Sequence, residues 1–214
     1  MTQAEAKRIK SLHLKKNRKE LGLFLVEGEK SILELAHSDF EIEKIYITSE
    51  CLDKNKEILS SVKNFIEPVS VGEIAKIASL EYNDTGLAVV RQKENKEFEI
   101  SGDDIVLALD DIRDPGNLGT IIRTADWYGV TKIICSTTTA EFYNMKTISA
   151  TMGSFARVEI YYTELDEFLK NKKLPILGAL LDGENSHTFC YPKNGVLLMG
   201  NESNGINDAL LPLI

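Results

Sequence analysis

The stretch IVLALDDIRDPGNLGTIIRTADWYGVTKIICS, residues 105–136, decides the fold class of this chain. It begins with five apolar residues in a row, which predict a strand buried on both faces. A polar loop with a Pro-Gly turn follows, and then a helix from about Asn117 to Tyr128, with the Asn117 side chain as its cap. Its last residues, KIICS, predict a second buried strand. Strand, helix and strand in this order are typical of a parallel sheet.

The same alternation continues toward the end of the chain. Apolar runs without in-and-out alternation again predict buried strands, and the segments between them have helical spacing. The chain from residue 104 onward is therefore predicted to be an α/β domain with a mainly parallel sheet. Its further strands are predicted at 157–162, 175–181 and 195–200, and its further helices at 144–152, at 164–172 and from about Ile206.

The first ninety residues predict a separate, smaller α/β module. The charged stretch 92–104 then reads as a connection, so we expect a domain at 1–93, a linker at 94–103 and a second domain at 104–214. Within the module, strands are predicted at 21–26, 44–48 and 87–91, extended structure at 65–70, and helices at 29–38, 52–64 and 71–80.

Charge and composition narrow the function classes. The net charge is −8, yet residues 1–20 carry seven Lys or Arg against two Glu, a basic segment compatible with a local RNA footprint or with a solvated terminal helix. No apolar run approaches the roughly 20 residues of a membrane-spanning helix, and the N-terminus does not resemble a signal peptide. Three scattered cysteines and three scattered histidines predict a reducing, cytoplasmic setting and no metal site.

Ligands of open α/β sheets bind beyond the carboxyl ends of the strands, so three loops are of interest. In the first, Arg123 lies off the apolar stripe of the helix, as a plain surface arginine also would. In the second, Glu202 lies between two glycines that allow close backbone approach to a ligand, although a simple strand-to-helix turn fits equally. The third combines hydroxyls with glycine, which suits a phosphate or merely a helix end. The stripe is Leu118, Ile121, Ile122, Ala125 and Tyr128, and the third loop contains Ser149, Thr151, Gly153, Ser154 and Arg157.

Taken together, these segments resemble the SpoU/TrmH family of the SPOUT class of RNA 2′-O-ribose methyltransferases. The order and spacing of two motifs make the resemblance far more specific than either motif alone. The matching segments are DDIRDPGNLG (110–119) with RTA (123–125), Lys146 with SATMGS (149–154), LMGNE (198–202) with 205–206, and FLVEGEK (24–30) after the basic KNR (16–18).

This resemblance implies a SPOUT fold with a deep trefoil knot, a homodimer, and S-adenosylmethionine held in the knot loops. It implies that the N-terminal module resembles RNA-binding ribosomal proteins and binds structured RNA. Ribosomal RNA and transfer RNA both fit, and the N-terminal module favours ribosomal RNA. The family's third motif, a segment with Ser and Asn, is expected soon after Leu211-Pro212, whereas the printed sequence ends at Ile214. The methyltransferase domain at 104–214 is therefore expected to lack this segment, which leaves open whether the knot and the cofactor site are complete.

The resemblance also implies roles for single residues. The reacting ribose hydroxyl is expected near Arg123, which orients a phosphate more readily than it acts as a base, because arginine keeps its proton in proteins. The catalytic residues are expected to be Arg123, Asn117 and Glu202. The cofactor-binding residues are expected to be Gly200, Asn201, Glu202, Gly205, Ile206 and Leu180. The RNA-binding residues are expected to be Lys7, Arg8, Lys15, Lys16, Arg18, Lys19, Glu27, Arg113 and Ser154.

Two other functions compete with this interpretation. A non-catalytic RNA-binding relative, or a truncated fragment that binds no cofactor, is favoured by the short C-terminus and disfavoured by the presence of Asn117, Arg123 and Glu202. A Rossmann-type dinucleotide enzyme is disfavoured because the first loop lacks GxGxxG.

Overall fold

The computed structural model describes residues 1–79 and 82–214, which form two compact units. The first unit contains Met1–Glu94 together with Phe142–Ala156, and the second contains Asn95–Glu141 together with Arg157–Ile214. Within the described ranges, no helix has the length and apolar character needed to cross a membrane. The domain boundaries stay a prediction, and the structure adds that 142–156 groups with the first unit.

The first unit is built on a four-stranded mixed sheet. Its elements are α1 Gln3–Ser11, α2 Lys15–Leu21, β1 Leu23–Glu27, α3 Glu29–Ala36, β2 Ile42–Ile47, α4 Ser49–Lys54, a 3-10 helix Ile58–Phe65, β3 Ile66–Pro68, α5 Val71–Ile74 and β4 Gly86–Arg91. The strand order is β1-β4-β2-β3. Strand β4 pairs antiparallel with both of its neighbours, and β2 pairs parallel with β3.

The second unit contains a five-stranded, all-parallel sheet. The elements from residue 95 onward are β5 Ile105–Leu109, α6 Pro115–Trp127, β6 Lys132–Ser136, α7 Met145–Thr151, a 3-10 helix Ser154–Ala156, β7 Glu159–Thr163, α8 Leu165–Lys170, β8 Ile176–Gly178, β9 Gly195–Met199 and a 3-10 helix Leu211–Leu213, of which α7 and the 3-10 helix after it belong to the first unit. The strand order is β7-β6-β5-β9-β8. Buried side chains of the central strands form a core with those of α8 and of the C-terminal segment, among them Ala108, Leu198, Phe168 and Leu210.

Aromatic packing explains why α7 belongs to the first unit. The Phe24 ring of β1 lies 4.6 Å from the Tyr143 ring and 6.4 Å from the Phe155 ring, measured between centroids. Phe40 packs 5.9 Å from Phe155. Burial of large aromatic rings is among the strongest contributions to a core, so this contact assigns the segment to the first unit.

Four predicted features differ from the structure. Helix α6 begins at Pro115 instead of Asn117, because the Asp114 side chain caps it. The predicted helix at 52–64 is divided into α4 and a 3-10 helix, and the one at 71–80 ends at Ile74, with Leu80 outside the described residues. From Ile206 to Leu210 the chain forms turns instead of a helix, and a 3-10 helix follows.

The predicted linker has no helix or strand at 94–103, but it is packed against the second unit. Phe98 is 9% exposed and belongs to the core beneath the parallel sheet. Asn95 donates to the Tyr162 carbonyl oxygen at 2.9 Å and accepts from the Tyr162 N–H at 2.8 Å. The charged composition of this segment therefore predicts an exposed linker, whereas the buried ring of Phe98 anchors the segment in the core.

Candidate active site

The candidate site lies at the carboxyl ends of β5 and β9, which are neighbours in the parallel sheet and end side by side at Leu109 and Met199. The loop after β5 leads into α6, and the loop after β9 contains the glycine-flanked turn 200–205. Asn117 of α6 donates from Nδ2 to Glu202 Oε1 at 2.5 Å, across 85 residues of sequence. The structure therefore brings together two of the three predicted catalytic side chains.

The Asp114 cap determines what Asn117 can do. The Asp114 carboxylate accepts the Asn117 backbone N–H at 2.9 Å, and Pro115 occupies the first helical turn, where no N–H donor is needed. Sequence reasoning assigned the cap to the Asn117 side chain. With the cap at Asp114, the Asn117 amide is available to bind Glu202.

Two further hydrogen bonds join the same loops. Asn201 Nδ2 donates to the Asp111 carbonyl oxygen at 2.8 Å, and the Asn207 N–H donates to Asp110 Oδ2 at 2.8 Å. Asp110 is only 6% exposed, so its carboxylate is committed to this internal contact. The Asn201 side chain is likewise bound within the protein, and its hydrogen bond to Asp111 holds the turn against the loop after β5.

The turn 200–205 is closed by its own backbone. Asn201 and Gly205 exchange two N–H···O hydrogen bonds of 2.9 Å, and Asn201 Oδ1 accepts the N–H groups of Ser203 and Asn204. A Cβ on Gly200 would lie 2.2 Å from the Gly205 carbonyl carbon, so a side chain cannot be accommodated there. The tightness of this turn explains why glycine occurs at position 200.

The loop after β6, which is not among the three loops selected from the sequence, also supports the site. Ser136, at the end of β6, accepts the Asp111 N–H on its hydroxyl at 2.8 Å, and the Thr139 hydroxyl donates to the Leu109 carbonyl at 3.2 Å. Both hydroxyl residues are buried. The run of four hydroxyl residues at 136–139, directly after a strand, was the available signal.

Arg123 lies on the exposed side of α6 and has no hydrogen-bond or ion-pair partner among residues 1–79 and 82–214. Six residues beyond Asn117, it is displaced by about 9 Å along the helix axis and by about a third of a turn around it. The structure thus places Arg123 on the same helix as Asn117, but without a hydrogen bond or ion pair to Asn117 or Glu202.

The other predicted residues of this unit differ in their surroundings. Arg113 is exposed and pairs with Asp111 at 2.9 Å, and this guanidinium holds the pKa of the Asp111 carboxyl below its usual range. Leu180 follows β8 and is 41% exposed, whereas the Ile206 side chain is 6% exposed in the core. No group of three or more potential metal ligands occurs in the part of the chain that the structure describes, and a metal-free site stays a prediction.

Comparison with known proteins shows the family of this chain. The family model of the SpoU rRNA methylases matches residues 104–214, and the model of the MRM3-like substrate binding domain matches residues 3–88. The chain belongs to the SpoU rRNA methylase family. It is 30% identical over 206 residues to the 23S rRNA (guanosine(2553)-2′-O)-methyltransferase RlmP of Bacillus subtilis, covering 94% of this chain and 81% of that protein.

The fold of this chain is also similar to the folds of solved RNA methyltransferases. An AdoMet-bound rRNA methyltransferase from Sinorhizobium meliloti superposes with a TM-score of 0.84 at 27% identity, covering 99% of this chain and 83% of the other. A proposed RNA methyltransferase of the TrmH family from Porphyromonas gingivalis gives a TM-score of 0.89 at 25% identity, covering 100% and 86%. The predicted SPOUT-class α/β fold is thereby confirmed, while the knot stays a prediction.

In the first unit, the predicted RNA-binding residues with accessible side chains form two groups. Two of them have partners within the protein, and the others are exposed lysines. Arg8 pairs with Glu43, with Nη2 and Oε2 3.0 Å apart, and is about half exposed. Glu27 accepts the N–H and hydroxyl of Ser79, both at 2.9 Å. The remaining lysines lie exposed on α1 and α2, namely Lys7, Lys15, Lys16 and Lys19.

Two predicted RNA contacts of the SpoU-family chain need correction because their side chains are buried. Arg18 is 2% exposed, and its Nη1 donates to the carbonyl oxygens of Leu12 and His13 at 2.9 Å, so its charge holds the α1–α2 connection. Ser154 is 4% exposed in the first unit. Neither side chain presents its polar group to a phosphate in this structure.

Proposed function

We propose that this protein transfers a methyl group from S-adenosylmethionine to a ribose 2′-OH of ribosomal RNA. The observation that carries the proposal is the hydrogen bond between Asn117 and Glu202, which joins the first and second family motifs at the carboxyl edge of the parallel sheet. Family membership and the rRNA 2′-O-methyltransferase activity in the name of the Bacillus subtilis relative support the same chemistry.

The residues of the site fit the cofactor. Glu202 supplies a negative charge on an exposed turn, which complements a positively charged sulfonium. Leu180 supplies exposed apolar surface at the end of β8, and the exposed glycine at 205 allows close backbone approach. These residues, together with the backbone at 200 and 206, would hold the cofactor. When bound, S-adenosylmethionine supplies a methyl group that its positive sulfur has already activated.

The protein's own contribution is then alignment and handling of the hydroxyl proton. Holding two reactants in the right geometry can contribute about 7–11 kcal/mol to lowering a barrier. Arg123 remains protonated, so we assign it to a phosphate beside the reacting ribose, with that phosphate or a water accepting the proton. Asn117 holds Glu202, and Arg113 is available for a further phosphate although Asp111 shares its charge.

We assign RNA binding in the first unit to the exposed lysines Lys7, Lys15, Lys16 and Lys19. Their positive charges release counterions when they neutralise phosphates, which supplies sequence-independent affinity. Arg8 keeps enough exposure to meet a phosphate. Glu27 is partly exposed, and its carboxylate can only accept hydrogen bonds from hydroxyl or base N–H groups of the RNA. We propose structured ribosomal RNA as the substrate, with transfer RNA as the alternative to be tested in the same assay.

We also propose that the protein is a homodimer that acts in the cytoplasm. Trp127 and Tyr128, at the end of α6, are 85% and 79% exposed, and both residue types are enriched at protein interfaces. Arg123 is one helical turn before Trp127 on the same face. A second copy covering Trp127 would therefore also enclose Arg123.

The test is methyl transfer from labelled S-adenosylmethionine to unmodified ribosomal RNA, with transfer RNA as the comparison. A 2′-O-methylated linkage resists alkaline cleavage because it lacks a free hydroxyl, so the product is recognised chemically. We expect labelled, alkali-resistant ribosomal RNA. Cofactor binding measured by calorimetry distinguishes the enzyme from a non-catalytic RNA-binding relative, which would bind RNA without binding S-adenosylmethionine.

A further inference from the structure

Asp111 has an unusual backbone conformation. Its φ is 58°, a left-handed value that residues other than glycine seldom adopt. Such conformations persist only where the surrounding structure holds them, and they concentrate at functional sites. Asp111 stands at the carboxyl end of β5, the central strand of the parallel sheet. The backbone of Asp111 therefore lies within reach of the segments that end the two neighbouring strands, β6 and β9.

The left-handed conformation lets one residue bind two loops at once. The Asp111 N–H donates to Ser136 Oγ at the end of β6, at 2.8 Å. Its carbonyl oxygen accepts from Asn201 Nδ2 in the loop after β9, also at 2.8 Å. The backbone of Asp111 thus connects the loops that follow all three central strands.

The connection continues from Asn201 to Glu202. The side-chain nitrogen of Asn201 donates to Asp111 and so connects the turn to the loop after β5. The side-chain oxygen of Asn201 accepts the backbone N–H groups of Ser203 and Asn204 and so stabilises the turn itself. Glu202 lies within this turn and is exposed, so water competes for its hydrogen bond with Asn117. The geometry of that pair depends on where the turn is held.

We propose that Asp111 is a positioning residue that acts through its backbone conformation, and that Asn201 passes its effect to Glu202. The inference rests on the proposed function, because Glu202 is assigned to the cofactor site there. In this proposal the Asp111 carboxylate, which pairs with Arg113, is not the part that positions Glu202.

The experiment compares Asp111→Asn with Asp111→Val. Both variants lose the carboxylate and its ion pair with Arg113, but Asn tolerates the left-handed conformation and the β-branched Val does not. We expect Asp111→Asn to retain most of kcat, and Asp111→Val to lose up to about 100-fold, the scale of a misplacement of about 1 Å. KM for RNA should change equally in both, since both release Arg113.

Two results would overturn the proposal. Equal loss of kcat in both variants would show that the carboxylate matters, and equal retention would show that the conformation does not. If Asp111→Val does not fold, Asn201→Asp tests the same connection, because it keeps the oxygen acceptor and loses the Nδ2 donor. A normal kcat in Asn201→Asp would equally refute the proposal.

A readout without catalysis separates this proposal from the proposed function. In nitrogen-15 NMR spectra of the ligand-free protein, the side-chain amide signals of Asn117 and Asn201 report their hydrogen bonds directly. We expect both signals to be preserved in Asp111→Asn and displaced in Asp111→Val. Unchanged signals in Asp111→Val contradict the positioning role, whereas absence of methyl transfer by the wild type contradicts only the proposed function.

Discussion

At the scale of single residues, the site is defined by which polar groups are already bound inside the protein. Asn201, Asp110 and Arg18 are each committed to internal hydrogen bonds, so they hold the fold. Arg123 has no such partner within the described ranges. A charged side chain that the fold does not use is available for a substrate, and for this reason we propose a role with the RNA for Arg123.

We predict that Arg123→Ala keeps the fold and loses methyl transfer by about 100-fold or more, as is common when one preorganised donor is removed. The thermal midpoint should be nearly unchanged, because the exposed Arg123 side chain makes no hydrogen bond or ion pair in the described part of the protein. Kinetics with labelled cofactor measure the loss. Near-normal methylation by this variant would remove Arg123 from the mechanism.

We predict that Glu202→Ala weakens binding of S-adenosylmethionine more than binding of RNA. The matched variant is Glu202→Gln, which keeps an oxygen acceptor for Asn117 and removes the charge. If the charge is what binds the cofactor, both variants lose affinity in calorimetry, whereas loss in the Ala variant alone indicates the hydrogen bond. Unchanged cofactor affinity in both would contradict the assignment of Glu202.

Two tyrosines predict how stability depends on pH. Burial raises the pKa of Tyr46 and of Tyr143 to about 12 from an ordinary value of 10.0. The folded state disfavours the phenolate form of both side chains. Their contribution to the free energy of unfolding is therefore fully present below pH 10 and is lost as the pH rises from 10 to about 12. Absorbance titration of tyrosinate should show two late-titrating groups, one of which disappears in Tyr46→Phe and the other in Tyr143→Phe.

At the scale of elements, helix α6 is the component on which the site depends, because it carries both Asn117 and Arg123. Its start is fixed by the Asp114 cap and by Pro115. Only the cap position decides whether the Asn117 side chain faces its own helix or the turn after β9. A change at Asp114 should therefore affect stability and activity together.

We predict that Asp114→Ala lowers the free energy of unfolding by about 1 kcal/mol, the usual contribution of an N-cap side chain. Asp114→Asn keeps an acceptor for the Asn117 N–H and serves as the control, with a loss of only a few tenths of a kcal/mol expected. Denaturant unfolding measures both. Equal stability of the Ala variant and the wild type would show that Pro115 alone sets the helix start.

At the scale of the whole molecule, the proposed homodimer can be followed through the only tryptophan of the sequence, Trp127. We predict that its fluorescence emission is that of a shielded indole at high protein concentration and shifts to longer wavelength on dilution. The Trp127→Glu variant should be monomeric by light scattering. The control is the same substitution at an exposed aromatic residue of the first unit, Tyr82→Glu, which should leave the oligomeric state unaltered. Emission typical of exposed indole at every concentration would place the interface elsewhere.

The residue order is sufficient to predict the α/β class, the parallel sheet and the family, because buried strands and tight glycine turns have local sequence patterns. The runs at 105–109 and 132–136 became strands with the predicted bounds. It also singled out Asn117 and Glu202, although their contact spans 85 residues.

Tertiary structure alone decided how polar side chains are used. Burial of Arg18 and Ser154, packing of Phe98 from a charged segment, and membership of 142–156 in the first unit all depend on contacts between distant parts of the chain. The left-handed Asp111 likewise follows from partners on two neighbouring strands. Local composition carries no information about such partners, because only the folded chain brings them within hydrogen-bonding distance.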